Sequence, residues 1–313
     1  MRPRQTFQQL IAANKRNSVF LIAGMFAFLL LLGAVFGGAC GGFEWGLLIA
    51  AVTAVIVFLA AWFGGSGTLL AVSGARRLEK ADDPQLFNVV EEMSIAAGIP
   101  MPKIYVIDSA APNAFATGID PAHAAVAITE GLREKLTREE LQGGMAHEIG
   151  HIRNFDIRYT MLMAVLAGAI VMLADAFLRV SFRSGGGRRR GGKGDGAAQL
   201  VLLLAGVVLA LLAPLVTMLI QMAMSRQREY LADASAVEFT RNPSGLARAL
   251  SKISGDRTPY EASRATAPLY IVNPKVELRS GADGWFSTHP PIRERIRRLF
   301  ELAGGGAENG ARN

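Results

Sequence analysis

The sequence predicts an α-helical membrane protein that also carries an α+β domain. Four apolar runs are each long enough to cross a bilayer, and two stretches with helix and strand patterns lie between and after them. The hydrophobic share of the 313 residues is 51%, which is somewhat high for a soluble protein. A third observation concerns "AHEIGHIRNFD" (146–156), which holds two of the four histidines directly before the third apolar run.

The four apolar runs define the predicted membrane-spanning part. Roughly 20 apolar residues at about 1.5 Å each cross a hydrocarbon core of about 30 Å, so each run qualifies by length. The third run is the weakest, because Asp175 and Arg179 lie inside it. These residues are four apart, and we expect them to pair on one helix face. The runs are 18–39, 43–63, 159–180 and 197–221.

Domain boundaries are predicted to follow these runs. The α+β domain is expected in two parts, 64–158 and 222–302, separated by a hairpin over 159–221 that either spans or re-enters the membrane. The other segments are a basic N-terminal segment (1–17), two membrane helices (18–63) and a Gly-rich tail (303–313) that we expect to be disordered. Within the domain, the patterns predict helices at 84–97, 221–239, after Asn242-Pro243 and at 292–302, and strands at 103–107 and 124–128.

Composition excludes several classes of protein. The net charge is +7, but the basic residues cluster at segment ends and no aromatic-rich basic stretch is present, so no nucleic-acid partner is expected. A single cysteine, Cys40, excludes an intrachain disulfide framework and fits a reducing compartment. The first apolar run is too long for a cleaved signal peptide. Gly33, Gly37 and Gly41 permit close helix packing, which leaves a homo-oligomer open.

A metal site is predicted on one helix. Thr137 and Glu140 form a capping-box pattern that starts this helix. Residues four apart share a helix face, so the ring nitrogens of His147 and His151 can close on one ion. Glu148, next to the first histidine, then reaches a water and serves as a general base. This H-E-x-x-H pattern is typical of zinc hydrolases.

A catalytic zinc needs a third protein ligand. The metzincin continuation is excluded, because Asn154 and Ile157 stand where that motif needs glycine and histidine. The two remaining histidines, His123 and His289, are alternatives, but a carboxylate is the better choice.

Glu229 is the predicted third ligand. It lies in "RQREYLADASA" (226–236), and Asp233, one helical turn later, is expected to accept a hydrogen bond from a ligand histidine. His151 precedes the third apolar run by eight residues and Glu229 follows the fourth by eight. Two crossings between them place both groups on the same side of the membrane at similar height.

Four motifs in order resemble the HtpX family, the membrane-bound zinc metalloproteases of bacterial protein quality control, with the CAAX prenyl proteases as more distant relatives. The resemblance covers roughly 70–300 and implies a gluzincin-like zinc metalloprotease domain with one zinc ion per chain. It also implies polypeptide substrates, namely misfolded or selected membrane proteins, and a catalytic domain that faces the cytoplasm. The motifs are "NAFATG" (113–118), "AHEIGHIRNFD" (146–156), "RQREYLADASA" (226–236) and "HPPIRERI" (289–296).

The resemblance also implies residue roles. It makes His147, His151 and Glu229 the zinc ligands and Glu148 the catalytic base. Residues 113–118 would border the cleft as an edge that holds the substrate backbone by strand addition.

Two roles stay open at this stage. His289 is a candidate for stabilising the oxyanion, with capping of the helix start at Pro290-Pro291 as the alternative. Asp156 either supports the metal site or orients the entry into the third apolar run.

Topology follows from the basic N-terminal segment, which holds four Lys and Arg residues and no acid, and which predicts a cytoplasmic N-terminus. Two crossings then place the catalytic domain in the cytoplasm, in a multi-pass protein of the cell membrane. The basic loop after the third run opposes this rule, so that hairpin either crosses despite its charge or re-enters.

The rival classes are less favoured: an inactive scaffold would lack Glu148, a prenyl protease would have more membrane helices, and a transporter would have histidines inside its apolar runs.

Overall fold

The computed structural model describes residues 7–39, 42–183, 196–256, 258 and 290–303. Helix dominates these ranges, with one 3-10 turn (Pro121–His123) and four short strands besides. The helices are α1 (Phe7–Ala39), α2 (Phe43–Val72), α3 (Pro84–Ala97), α4 (Glu130–Lys135), α5 (Arg138–Arg153), α6 (Asp156–Arg183), α7 (Gly196–Thr240), α8 (Pro243–Ser254) and α9 (Ile292–Leu302).

The described residues divide into two compact units. Unit 1 takes its members from Met1–Arg16, Gly64–Met161 and Met224–Asn313. Unit 2 takes its members from Asn17–Phe63 and Leu162–Ala223. All strands and the H-E-x-x-H segment belong to unit 1, whereas unit 2 is helical.

The predicted membrane helices are observed as long apolar helices. Three helical segments among the described residues are long and apolar enough to cross a membrane: Ile22–Ala39, Phe43–Val72 and Asp156–Arg179. The fourth predicted run lies in α7, where the described residues include the shorter apolar segment Leu203–Ala213. The predicted pairing inside α6 is confirmed, because Arg179 Nε donates to Asp175 Oδ2 at 2.8 Å. An α-helical membrane protein with an α+β domain is therefore the observed fold class.

Glycines allow α1 and α2 to approach closely within unit 2. A Cβ atom at Gly33 would lie 2.7 Å from the backbone oxygen of Gly46, and one at Gly37 would lie 2.6 Å from Gly46 Cα. The third glycine of the predicted pattern, Gly41, and the lone Cys40 lie outside the described residues. The glycine spacing is thus used inside the chain, and a homo-oligomer stays a prediction.

A four-stranded sheet with the order β1-β2-β4-β3 forms the centre of unit 1. The outer strands β1 and β3 run antiparallel to their neighbours, and the central pair β2 and β4 is parallel. The predicted strand at 103–107 is confirmed, and the one predicted at 124–128 begins one residue later. The strands are β1 (Ala75–Arg77), β2 (Lys103–Ile107), β3 (Ala114–Thr117) and β4 (Ala125–Thr129).

Both faces of the sheet are covered. One face joins the main core with α3, α5, α8 and α9, to which Val126, Ile149 and Leu250 contribute fully buried side chains. The other face packs Phe115 and Ala127 against Leu70, near the end of α2. Among the described strands β3 lies at the edge of the sheet, and it contacts α5, the helix that carries the H-E-x-x-H segment.

Candidate active site

The start of α5 is fixed by a complete capping box. The Thr137 N–H donates to Glu140 Oε2 at 2.8 Å, and the Thr137 hydroxyl accepts from the Glu140 N–H, as predicted. Lys252 of α8 donates to the same Glu140 oxygen at 2.7 Å. These bonds satisfy backbone donors of the first turn and tie the helix to α8.

Two glycines let neighbouring helices approach α5. A Cβ atom at Gly143 would lie 2.6 Å from the backbone nitrogen of Leu246 on α8. At Gly150, a Cβ atom would lie 3.0 Å from Ser235 Cβ on α7. Gly150 directly precedes His151, so the close approach of α7 at this position brings the carboxylates of α7 to the two motif histidines.

The three predicted ligands come together on α5 and α7. One ligand atom each of His147, His151 and Glu229 lies within 4.8 Å of the other two. Nε2 of His147 lies 3.6 Å from Glu229 Oε2, and Nε2 of His151 lies 3.6 Å from Glu229 Oε1. Two ligands at zinc distances of 2.0–2.1 Å and tetrahedral angles would be about 3.4 Å apart, so the donor set fits a tetrahedral metal site.

Each histidine has its own carboxylate on the other ring nitrogen. Nδ1 of His147 lies 3.0 Å from Asp233 Oδ1, the pairing predicted for Asp233. Nδ1 of His151 lies 3.1 Å from Asp156 Oδ2, which places Asp156 beside a predicted metal ligand. Such partners fix the tautomer and direct both Nε2 atoms toward Glu229.

Glu148 lies beside this group and beneath the sheet edge. Its side chain is buried and accepts a hydrogen bond from the backbone N–H of Ala116 in β3. The Thr129 N–H donates to the backbone oxygen of Asn113, and hydrogen-bonded positions alternate along an antiparallel pair. The backbone N–H and C=O groups of Ala114 and Ala116 therefore point away from β4. The predicted base therefore lies against the outward-facing edge of the "NAFATG" segment.

A divalent cation would balance the buried charges around the site. Four carboxylates are buried together with two guanidinium groups, for a formal sum of −4 + 2 = −2. The two histidines can remain neutral as ligands, so one divalent ion would neutralise the group. The carboxylates are Glu148, Asp156, Glu229 and Asp233, and the arginines are Arg228 and Arg295.

The pKa values reflect this burial and charge. Burial raises the pKa of Glu148 above its usual value, although the nearby histidines act against this. Burial acts to lower the pKa of His151, but the hydrogen bond that His151 donates to Asp156 and the charge of Glu229 outweigh it and raise this pKa to about 9. A protonated His151 cannot bind a metal, so metal binding would release this proton.

Arg295 is a site residue that the sequence reasoning missed. It lies on α9 and is 1% exposed, next to Glu229 and Asp233. A usable signal was present, because Arg295 stands on the same helix face as Ile292, Ile296 and Leu299, which is the apolar face of α9. A charged residue in an apolar stripe indicates a buried ion pair.

The alternative ligands are placed differently. His123 is exposed and pairs with Asp120 at 2.8 Å in the turn after β3. His289 lies outside the described residues, so its predicted role at the oxyanion stays a prediction.

Comparison with known proteins gives several close matches. The profile of peptidase family M48 matches residues 80–303. A protease HtpX homolog of Dictyoglomus thermophilum is 46% identical over 297 residues, with 94% of both chains covered. A protease HtpX homolog of Listeria monocytogenes serotype 4b is 44% identical over 308 residues, which covers 95% of this chain and 99% of the relative. A third protease HtpX homolog, from Ligilactobacillus salivarius, is 43% identical over 298 residues, or 94% of this chain and 99% of the relative.

One solved structure resembles the fold. The crystal structure of S. mikatae Ste24p superposes with a TM-score of 0.50 at 22% sequence identity, over 93% of this chain. The match spans 66% of that longer chain, slightly less than two thirds. At this identity the likeness concerns the fold alone.

Proposed function

The chain belongs to peptidase family M48 and is a membrane-associated metalloprotease, and we propose that it is a zinc endopeptidase of protein quality control. In this proposal it hydrolyses peptide bonds of misfolded or selected membrane proteins. His147, His151 and Glu229 hold one zinc ion, and Glu148 is the general base.

One observation carries the proposal. The Nε2 atoms of both motif histidines face the same carboxylate, Glu229, at 3.6 Å each, while their Nδ1 atoms are paired with Asp233 and Asp156. Two imidazoles and one carboxylate form the donor set of many catalytic zinc sites, which keep a fourth position for water or substrate.

Hydrolysis follows from the position of Glu148. When bound, the zinc supplies Lewis-acid chemistry and polarises a water and the scissile carbonyl. Glu148 takes a proton from the attacking water as the new carbon–oxygen bond forms, and it delivers a proton to the amine as the carbon–nitrogen bond breaks. Burial raises the pKa of Glu148, which favours its transient protonation.

The substrate is proposed to bind as an added strand. β3 is an edge strand, and Ala114 and Ala116 direct backbone groups away from β4. An extended peptide that replaces the Asn113 side chain as partner of the Ala114 N–H can pair along this edge and lie across Glu148, which accepts from the Ala116 N–H. Because main-chain bonds carry no sequence information, this mode suits unfolded segments of many proteins.

Location in the cytoplasmic membrane, with the active site on the cytoplasmic side, is part of the proposal. It is supported by the apolar helices and by the basic residues before the first apolar run. A protease on that side meets the cytoplasmic loops of membrane proteins.

The test is cleavage of a denatured membrane protein by the purified full-length chain. We expect cleavage when zinc is present, loss after chelation, and recovery when zinc is added back. We also expect the wild type to cleave itself after solubilisation. Intact substrate in the zinc-loaded sample, or equal cleavage with excess chelator, would contradict the proposal.

A further inference from the structure

Arg295 is a deeply buried charge that the proposed hydrolysis does not use. It reaches the site from α9, whose residues Ile292, Ile296 and Leu299 pack in the main core. A guanidinium group is costly to bury unless all its donors are paired. Its partners therefore indicate its role.

The partners of Arg295 are two carboxylates of the site. Nη1 lies 2.8 Å from Glu229 Oε2. Nη2 and Nε donate to the two oxygens of Asp233 at 2.7 and 2.9 Å. Nη2 also lies 3.4 Å from each of the two ring nitrogens of His147. One planar fork thus contacts the third ligand and the carboxylate that orients the first.

This geometry restricts how both groups can turn. With Oε2 of Glu229 held by Arg295, the other oxygen remains directed to Nε2 of His151 at 3.6 Å. With both oxygens of Asp233 held, Oδ1 stays 3.0 Å from His147 Nδ1. A lysine would keep the positive charge but lose the bidentate fork that fixes the plane of Asp233.

We propose that Arg295 is a positioning residue for the metal site, which sets the orientation of Glu229 directly and that of His147 through Asp233. The inference rests on the proposed function, because it takes these residues as metal ligands. Docking of α9 then completes a site whose ligands all lie earlier in the chain.

The experiment uses cobalt(II) as the metal in the detergent-solubilised full-length protein. It compares the wild type with Arg295→Lys and with a matched control, Arg297→Lys, on the exposed face of the same helix. Visible absorption reports the cobalt ligand geometry, competition with a chelator gives the dissociation constant, and thermal unfolding in excess cobalt checks the fold.

We expect Arg297→Lys to match the wild type in all three readouts. Arg295→Lys should fold, show a changed cobalt absorption band and bind cobalt about 10–100-fold more weakly. In an Asp233→Asn background the effect of Arg295→Lys should become smaller, because part of it acts through Asp233.

Three results would overturn the inference: wild-type absorption and affinity in Arg295→Lys, an equal effect of Arg297→Lys, or failure of Arg295→Lys to fold in excess cobalt. The last would assign Arg295 to the core rather than to the ligands. If the wild type itself binds no cobalt, the proposed function fails instead, so the two failures are distinguishable.

Discussion

Asp156 Oδ2 lies 3.1 Å from Nδ1 of His151, although the two residues are on different helices, α6 and α5. Phe155 between these helices has a φ of 61°, a left-handed conformation that turns the chain sharply. The turn lets the first residue of α6 reach back to the last turn of α5. Arg228 of α7 contacts the same residue, with Nη1 3.3 Å from its backbone oxygen. The start of an apolar helix thus supports the metal site.

Removal of the Asp156 carboxylate tests this relationship. Asp156→Asn should weaken zinc binding by about 10–100-fold, because the amide no longer fixes the tautomer of His151 as a carboxylate does. Competition with a chelator measures the change. Asp175→Asn, which alters an exposed carboxylate on the same helix, is the control and should bind zinc as the wild type does. Equal affinity in both variants would remove Asp156 from the site.

The third ligand is tested by comparing Glu229 with its neighbour. Glu229→Ala should lose stoichiometric zinc, because it removes a ligand, whereas Asp233→Ala should weaken binding by about 10–100-fold. Zinc content after dialysis and affinity by competition separate the two. If Glu229→Ala binds zinc like the wild type, the third ligand lies elsewhere, and His289 would be examined next.

Peptide binding along β3 predicts a pattern of amide protection. A peptide bound to the Glu148→Gln variant should slow hydrogen exchange further at Ala114, whose N–H points away from β4 and donates to Asn113 Oδ1 at 3.0 Å in the free protein. The amides of Phe115 and Thr117 face β4 and should be slow with or without peptide. Residue-resolved exchange measures this. Unchanged exchange at Ala114 under saturating peptide would contradict strand addition at this edge.

Much of the site was predictable because its chemistry is local in sequence. The H-E-x-x-H residues lie within two turns of one helix, and so do Glu229 and Asp233. The helical period of 3.6 residues therefore places each pair of side chains four apart on a common face. The role of Asp156 stays open in the sequence, because its contact with His151 depends on the left-handed conformation of Phe155. Arg295 was missed because its partners are more than 60 positions away and three other arginines surround it on α9.

The sheet was only partly predictable. β2 is a Val- and Ile-containing run with a clear strand pattern, and its bounds were correct. β3, "AFAT", is four buried residues without alternation, and two of them are alanine, a weak strand former. β1 has only three residues, two of them arginine, and depends on pairing with β2. Long-range pairing rather than local propensity determines both outer strands.

Orientation in the membrane is tested by cysteine labelling in a Cys40→Ala background. Gly192→Cys, at a position outside the described residues, should react with a membrane-impermeant thiol reagent in intact cells, because the run at 197–221 is uncharged and long enough to span. Reaction only after the membrane is opened would favour the re-entrant hairpin. Ala122→Cys, an exposed position in the catalytic domain, should stay protected in intact cells. Labelling of Ala122→Cys from outside would contradict a cytoplasmic active site.

The central claim is that Glu148 is the base of a site that other residues build. The most direct measurement is zinc content and proteolysis in Glu148→Gln, side by side with the wild type. Because the substitution removes the base and leaves His147, His151 and Glu229 in place, it should keep one zinc ion per chain and lose cleavage by about 10²-fold or more. Cleavage near the wild-type rate, or loss of the zinc together with the activity, would contradict the assignment.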